Sequence, residues 1–168
     1  GAGVACMAAS PANLAYRKQV MFYQTIGHDK MNQLRHVRFL GDLAGVEQHM
    51  EKHAAILRPK FEAVLGLLEE ELSNTGIAHW NKPMGGYFIS LFAYPGTATK
   101  TVEAARACGV EFTPAGATYP GGVDPEDSNI RIAPTFPPLG EVKTAAEVLC
   151  ICVRMTAVRK ILRDRATA

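Results

Sequence analysis

The chain has 168 residues, with 18 Lys plus Arg against 16 Asp plus Glu and a formal charge of +2. That balance argues against a dedicated nucleic-acid binder, which carries a clustered basic excess. A composition of 48% hydrophobic and 20% charged residues is globular and excludes a disordered tail.

No apolar run approaches the roughly 18 residues that cross a bilayer, and no basic segment followed by an apolar stretch reads as a signal peptide. The expected setting is cytoplasmic, away from membrane and nucleic acid. Cys6, Cys108, Cys150 and Cys152 show no CxxC spacing and read as small buried hydrophobes in a reducing compartment.

Residues 1–9, GAGVACMAA, form an apolar run of strand length with no polar lead-in. A free terminus is seldom so apolar, so the chain is expected to be a piece of a longer one. Ser10 and Pro11 then supply a helix cap and first helical residue, starting a helix to residue 24 that Gly27 ends. A second helix over 28–40 places Met31, Leu34, Val37 and Phe39 or Leu40 on a buried stripe. A long helical pattern covers 45–74, and Pro59 predicts a kink there because it removes a donor and crowds the preceding turn.

From residue 77 the period changes. Residues 77–80 and 86–93 read as strands, the second apolar on both faces through Tyr87, Ile89, Leu91, Phe88 and Phe92. A helix over 97–108, a strand over 110–113, a Gly/Pro/Asp-rich loop over 114–127 and a short strand over 129–133 come next. A final helix spans 139–163. The sum is an α/β pattern: helices first, then a small sheet with covering helices.

Residues 129–133 are the most informative stretch. Alternation sends Ile130 and Ile132 to one face and Asn129 and Arg131 to the other. A guanidinium on a strand beside a Gly-rich loop is suited to gripping a carboxylate or phosphate through two parallel hydrogen bonds. A structural salt bridge is the alternative reading of the same residue.

Other candidates are weaker. His49 and His53 lie four apart, but Met50 comes after the first where a zinc peptidase carries Glu, so a solvated helix face is expected and no metal. Residues 124–127, Asp-Pro-Glu-Asp, lack calcium-loop spacing and read as a turn. Arg17, Lys18, Lys30, Arg35 and Arg38 form a basic cluster expected to face solvent or a subunit. Gly121-Gly122 lacks the strand and helix of a phosphate loop. Arg154, Arg159, Lys160, Arg163 and Arg165 suit a helix C-terminus.

The segment Pro83-Met84-Gly85-Gly86-Tyr87-Phe88, then Thr113-Pro114-Ala115-Gly116, then Ser128-Asn129-Ile130-Arg131-Ile132-Ala133-Pro134 resembles the C-terminal half of fold-type-I pyridoxal-phosphate-dependent aminotransferases. The opening Gly1-Ala2-Gly3-Val4-Ala5 resembles the stretch directly after the Schiff-base lysine in that family. Residues 26–36, Ile-Gly-His-Asp-Lys-Met-Asn-Gln-Leu-Arg-His, with Lys60-Phe61, are similar to a bacterial aspartate aminotransferase subgroup.

The resemblance implies a remnant of the large cofactor-binding domain over 1–44, contributing a strand and helices, a kinked connector helix over 45–76 and the small C-terminal domain over 77–168. Its small sheet would be rich in antiparallel pairs and covered by helices. Arg131 would bind the substrate α-carboxylate, with Asn129 beside it. The parent would move an amino group from an amino acid, aspartate in the expected case, to a 2-oxo acid, as a homodimer. No lysine of this chain (Lys18, Lys30, Lys52, Lys60, Lys82, Lys100, Lys143, Lys160) matches the Schiff-base context, and the aspartate for the pyridinium nitrogen is absent. This chain alone is thus expected neither to hold pyridoxal 5'-phosphate tightly nor to transaminate. The alternative is a non-catalytic α/β domain that binds a carboxylate ligand or a protein partner.

Overall fold

The computed structural model describes residues 3–167. In chain order the elements are α1 (Pro11–Thr25), α2 (Lys30–Leu40), α3 (Leu43–Leu72), β1 (Ala78–Trp80), β2 (Ile89–Ala93), α4 (Ala98–Ala107), a short 3-10 turn (Pro120–Gly122), β3 (Asn129–Ile132) and α5 (Leu139–Thr167). They divide into two compact units, Gly1–Ala54 and Ala55–Ala168, with α3 running from one into the other.

In the first unit, local capping sets the helix boundaries. Ser10 Oγ accepts from the Asn13 N–H at 3.4 Å, and Pro11 opens α1 where its missing donor costs nothing. Ile26 ends α1, one residue before Gly27, by bonding its N–H to the Phe22 carbonyl. The Asp29 carboxylate accepts from the Asn32 N–H at 2.9 Å, so α2 begins at Lys30 and not at His28. Asp42 likewise accepts from the Gly45 N–H at 3.0 Å, which moves the start of α3 back to Leu43. Gly45 is required there: a Cβ would collide with the Leu40 carbonyl oxygen.

Two expectations fail in this unit. Residues 3–10 form no strand; residues 1 and 2 lie outside the described residues. An extended run becomes a strand only when a neighbour accepts its ladder bonds. The α2 stripe is also uncovered: Met31, Leu34, Val37 and Phe39 are exposed, and neither α1 nor α2 buries a residue. Helical spacing creates an apolar face, whereas burial needs a second surface to cover it.

The second unit holds the core. Its sheet is antiparallel with order β1-β2-β3. Register places Ala78 opposite Ala93, Trp80 opposite Leu91, Leu91 opposite Ile130 and Ile89 opposite Ile132. These residues make one apolar face. Val64, Leu68 and Leu72, spaced four apart on α3, join it, as do Val142, Ala146, Leu149 and Val153 of α5. Each fully buried Leu, Ile or Val contributes about 1.5–3 kcal/mol relative to exposure. α3 continues through Pro59, which lies inside the helix without ending it. α4 packs on α5, and the buried hydroxyls of Thr101 and Thr156 meet across that contact at 2.7 Å.

The strand expectations need three corrections. β2 begins at Ile89, so Tyr87 and Phe88 precede it and are exposed. It is buried on one face only, through Ile89, Leu91 and Ala93. Residues 110–113 form no strand: Val110 spends its N–H on the Ala105 carbonyl at the end of α4, and the segment makes no ladder with β3, both segments instead contributing to the wall of one cavity. Cys150 and Cys152 are buried as expected, but Cys6 and Cys108 are exposed.

Candidate carboxylate-binding site

The second face of the sheet carries His79, Ser90, Phe92, Asn129 and Arg131, the residues alternating with the core set. The His79 ring stacks on that of its register partner Phe92, centroids 4.8 Å apart and planes 7° apart. Arg131 faces Ser90 across the β2–β3 ladder.

Arg131 is held by neutral groups. Its Nη2 donates to Thr113 Oγ1 at 3.1 Å, and its guanidinium carbon lies 4.6 Å from the centroid of the Phe88 ring. Nε is buried with no hydrogen-bond partner among the described residues. None of the ion pairs among the described residues includes Arg131. The structural salt bridge, the alternative reading of this residue, is thus not what the geometry contains. Glu111 lines the same cavity as Arg131, but its carboxylate pairs with Arg106 at 2.7 Å. The cavity measures about 160 Å³ and is otherwise mainly apolar, with Val64, Phe112, Ile132, Val142 and Leu149 in its wall.

Asn129 lies on the same face but is committed to the fold. Its Nδ2 donates to Ser90 Oγ at 2.8 Å, and its Oδ1 accepts from Thr118 Oγ1 at 2.7 Å. It thereby joins β2 and β3 to the 114–127 loop. Gly116 shapes that loop, with φ +85 and no room for a Cβ beside the Gly122 carbonyl.

The acidic turn is structural. Asp124 accepts from the N–H groups of Glu126 at 3.0 Å, Ser128 at 2.8 Å and Asn129 at 2.7 Å. Desolvation by burial pushes its carboxyl pKa up, but the combined main-chain donors outweigh it and leave the group below the ordinary carboxylate value. Asp127 caps α4 from a distance, accepting from the Thr99 N–H at 2.8 Å and the Thr99 hydroxyl at 2.6 Å. His49 and His53 approach to 3.1 Å through their Nε2 atoms, and no cluster of three or more metal-binding side chains occurs among the described residues.

Sequence reasoning found Arg131 and Asn129 on a common face but missed Phe88 and Thr113 as the groups around the guanidinium. Phe88 sits just before β2, and its place on the Arg131 side agrees with the period-2 count back from Ser90. No local signal in the 110–113 run points Thr113 at Arg131.

The profile of the family described as aspartate amino-transferase matches residues 1–165. A protein of Mycolicibacterium smegmatis is 46% identical over 165 residues, 98% of this chain and 39% of that relative. The crystal structure of an aspartate transaminase from Corynebacterium glutamicum superposes with a TM-score of 0.82 at 42% identity, covering 90% of this chain and 36% of that one. An α-aminoadipate aminotransferase from Thermus thermophilus, crystallised with N-(5'-phosphopyridoxyl)-L-leucine, shares the fold with a TM-score of 0.71 at 18% identity, covering 89% of this chain and 37% of that one. The chain therefore spans under two fifths of the length of these relatives. Matched along nearly its whole length, and folded into the same arrangement, the chain belongs to the aspartate aminotransferase family.

Proposed function

We propose that this chain is the C-terminal part of an aminotransferase that moves an amino group from an amino acid, aspartate in the leading case, to a 2-oxo acid, and that Arg131 binds the α-carboxylate. The observation that carries this is a guanidinium on a strand with no carboxylate partner among the described residues. An unneutralised arginine beside a cavity attracts an acid group, and the planar fork fixes how that group lies. Positioning of this kind contributes several kcal/mol when a reacting bond must be aligned. Asn129, on the same face, serves the site indirectly by tying the 114–127 loop to the strand that bears Arg131.

The family's pyridoxal 5'-phosphate supplies an electron sink for amino-acid chemistry and is anchored through a lysine amine. No lysine lines the cavity beside Arg131, and Lys60 directs its ammonium to the Thr135 carbonyl. The side chains around Arg131 do not fit the anchoring role, so the cofactor belongs to the longer parent and no step of this chain runs through it. The same reading gives this chain alone no transaminase turnover. It takes the parent as a cytoplasmic homodimer; no helix among the described residues is long and apolar enough to cross a membrane.

Calorimetric titration with succinate tests the reading. The chain binds the dicarboxylate, and Arg131→Ala weakens binding by roughly 2–5 kcal/mol. Equal affinity for wild type and variant overturns the assignment of Arg131.

A further inference from the structure

An arginine on a strand has four flexible side-chain torsions and, without an ion pair, no opposite charge to select one arrangement. Arg131 is nevertheless constrained at three points: the Phe88 ring beside its guanidinium, Thr113 Oγ1 on Nη2, and burial of Nε. Neither Phe88 nor Thr113 carries charge, so they fix the group without neutralising it. A carboxylate in either place would hold the arginine as firmly and cancel its attraction for a ligand.

The supports are themselves anchored. Phe88 lies at the end of the 82–88 loop, whose base is closed where the Ser90 N–H donates to Asn81 Oδ1 at 2.7 Å and the Asn81 N–H donates to the Ser90 carbonyl at 3.1 Å. Ser90 is the register partner of Arg131, so Phe88, two residues before it, occupies the diagonal place on the same face. Thr113 approaches from a segment that makes no ladder with β3, so its hydroxyl, and not main-chain pairing, links the two.

We infer that Phe88 and Thr113 are positioning residues for Arg131, holding its guanidinium so that the terminal edge formed by Nη1 and Nη2 is the one offered to a carboxylate. The inference rests on the proposed role of Arg131 and deepens it. Burial removes Nε from contact with an incoming ligand, which excludes the side-on grip through Nε and leaves the end-on one. Phe88 loses no core packing if truncated, because the residue is 46% exposed and lies outside the buried cluster.

The test uses the chain with isotopically labelled arginine. Rotation about the Arg131 Nε–Cζ bond is measured by NMR without ligand, and succinate affinity by calorimetry, for wild type, Phe88→Leu, Phe88→Tyr, Thr113→Val and Thr113→Ser. Thr113→Val should speed rotation and weaken succinate by roughly tenfold through loss of a hydrogen bond to a charged group. Phe88→Leu should do the same by roughly fivefold through loss of the cation–π contact. Phe88→Tyr and Thr113→Ser, which keep the ring and the hydroxyl, should restore most of both. Wild-type rotation in Phe88→Leu and Thr113→Val overturns the inference, as does faster rotation with unaltered affinity. If Arg131→Ala binds succinate as wild type does, the binding role itself has failed; the ligand-free rotation rates then still decide whether these two residues hold the guanidinium.

Discussion

The ammonium of Lys60, within α3, donates to the main-chain carbonyl of Thr135 at 2.7 Å. This bond ties the connection after β3, which contributes Ala133, Pro134 and Pro137 to the cavity wall, to the long helix. Lys60→Met keeps the apolar stem and removes the donor, and should cost about 1–2 kcal/mol and lower the melting temperature by a few degrees. Thermal unfolding checks the stability. A melting temperature unchanged in Lys60→Met would remove Lys60 as the tether.

Asp124 gives the fold an acid-sensitive joint. Its folded-state pKa lies below the ordinary 3.8, so its contribution to stability is present above that value and is lost as pH falls through the folded pKa. In Asp124→Asn an amide faces the same three N–H donors, one end of it with the wrong polarity. Urea unfolding should show a stability gap between wild type and variant near pH 6 that closes below about pH 4. A gap independent of pH would mean that the charge of Asp124 contributes nothing.

The thiols should separate by burial. Desolvation pushes Cys150 from 9.0 to about 11, with Glu71 adding to the effect and Arg154 opposing it, and burial raises Cys152 as well. Because the thiolate is the reactive form, iodoacetamide at pH 8 should label exposed Cys6 and Cys108 first and reach Cys150 and Cys152 only in denaturant. The contribution of Cys150 to stability is complete below pH 9 and is lost as pH rises toward 11. Cys150→Ala should flatten that part of the curve. Mass spectrometry of the labelled chain and alkaline unfolding measure the two effects.

What the sequence disclosed divides along a physical line. Ser10-Pro11 marks a helix start through contacts within one turn, and the alternation over 129–132 assigns Arg131 and Ile130 to opposite faces through backbone geometry alone. The failures concern contacts made across distance. The run Val110-Glu111-Phe112-Thr113 has strand composition, yet it forms no ladder, because a strand is a relationship between two segments. The α2 stripe shows correct helical spacing with nothing over it. Phe88 and Thr113 reach Arg131 only after the sheet and its flanking segments are assembled, so no spacing rule could pair them beforehand.

The sheet keeps its two tasks on opposite sides. Ile89, Leu91, Ile130 and Ile132 supply cohesion, while His79, Ser90, Phe92 and Arg131 look the other way. The separation is not complete, because the cavity beside Arg131 is walled by Val64, Ile132, Val142 and Leu149 of the interior. Exchanges at Arg131 and at its strand neighbours Ile130 and Ile132 lie close enough to couple, so a change of packing in the interior should be felt at the guanidinium and their free-energy effects should not simply add.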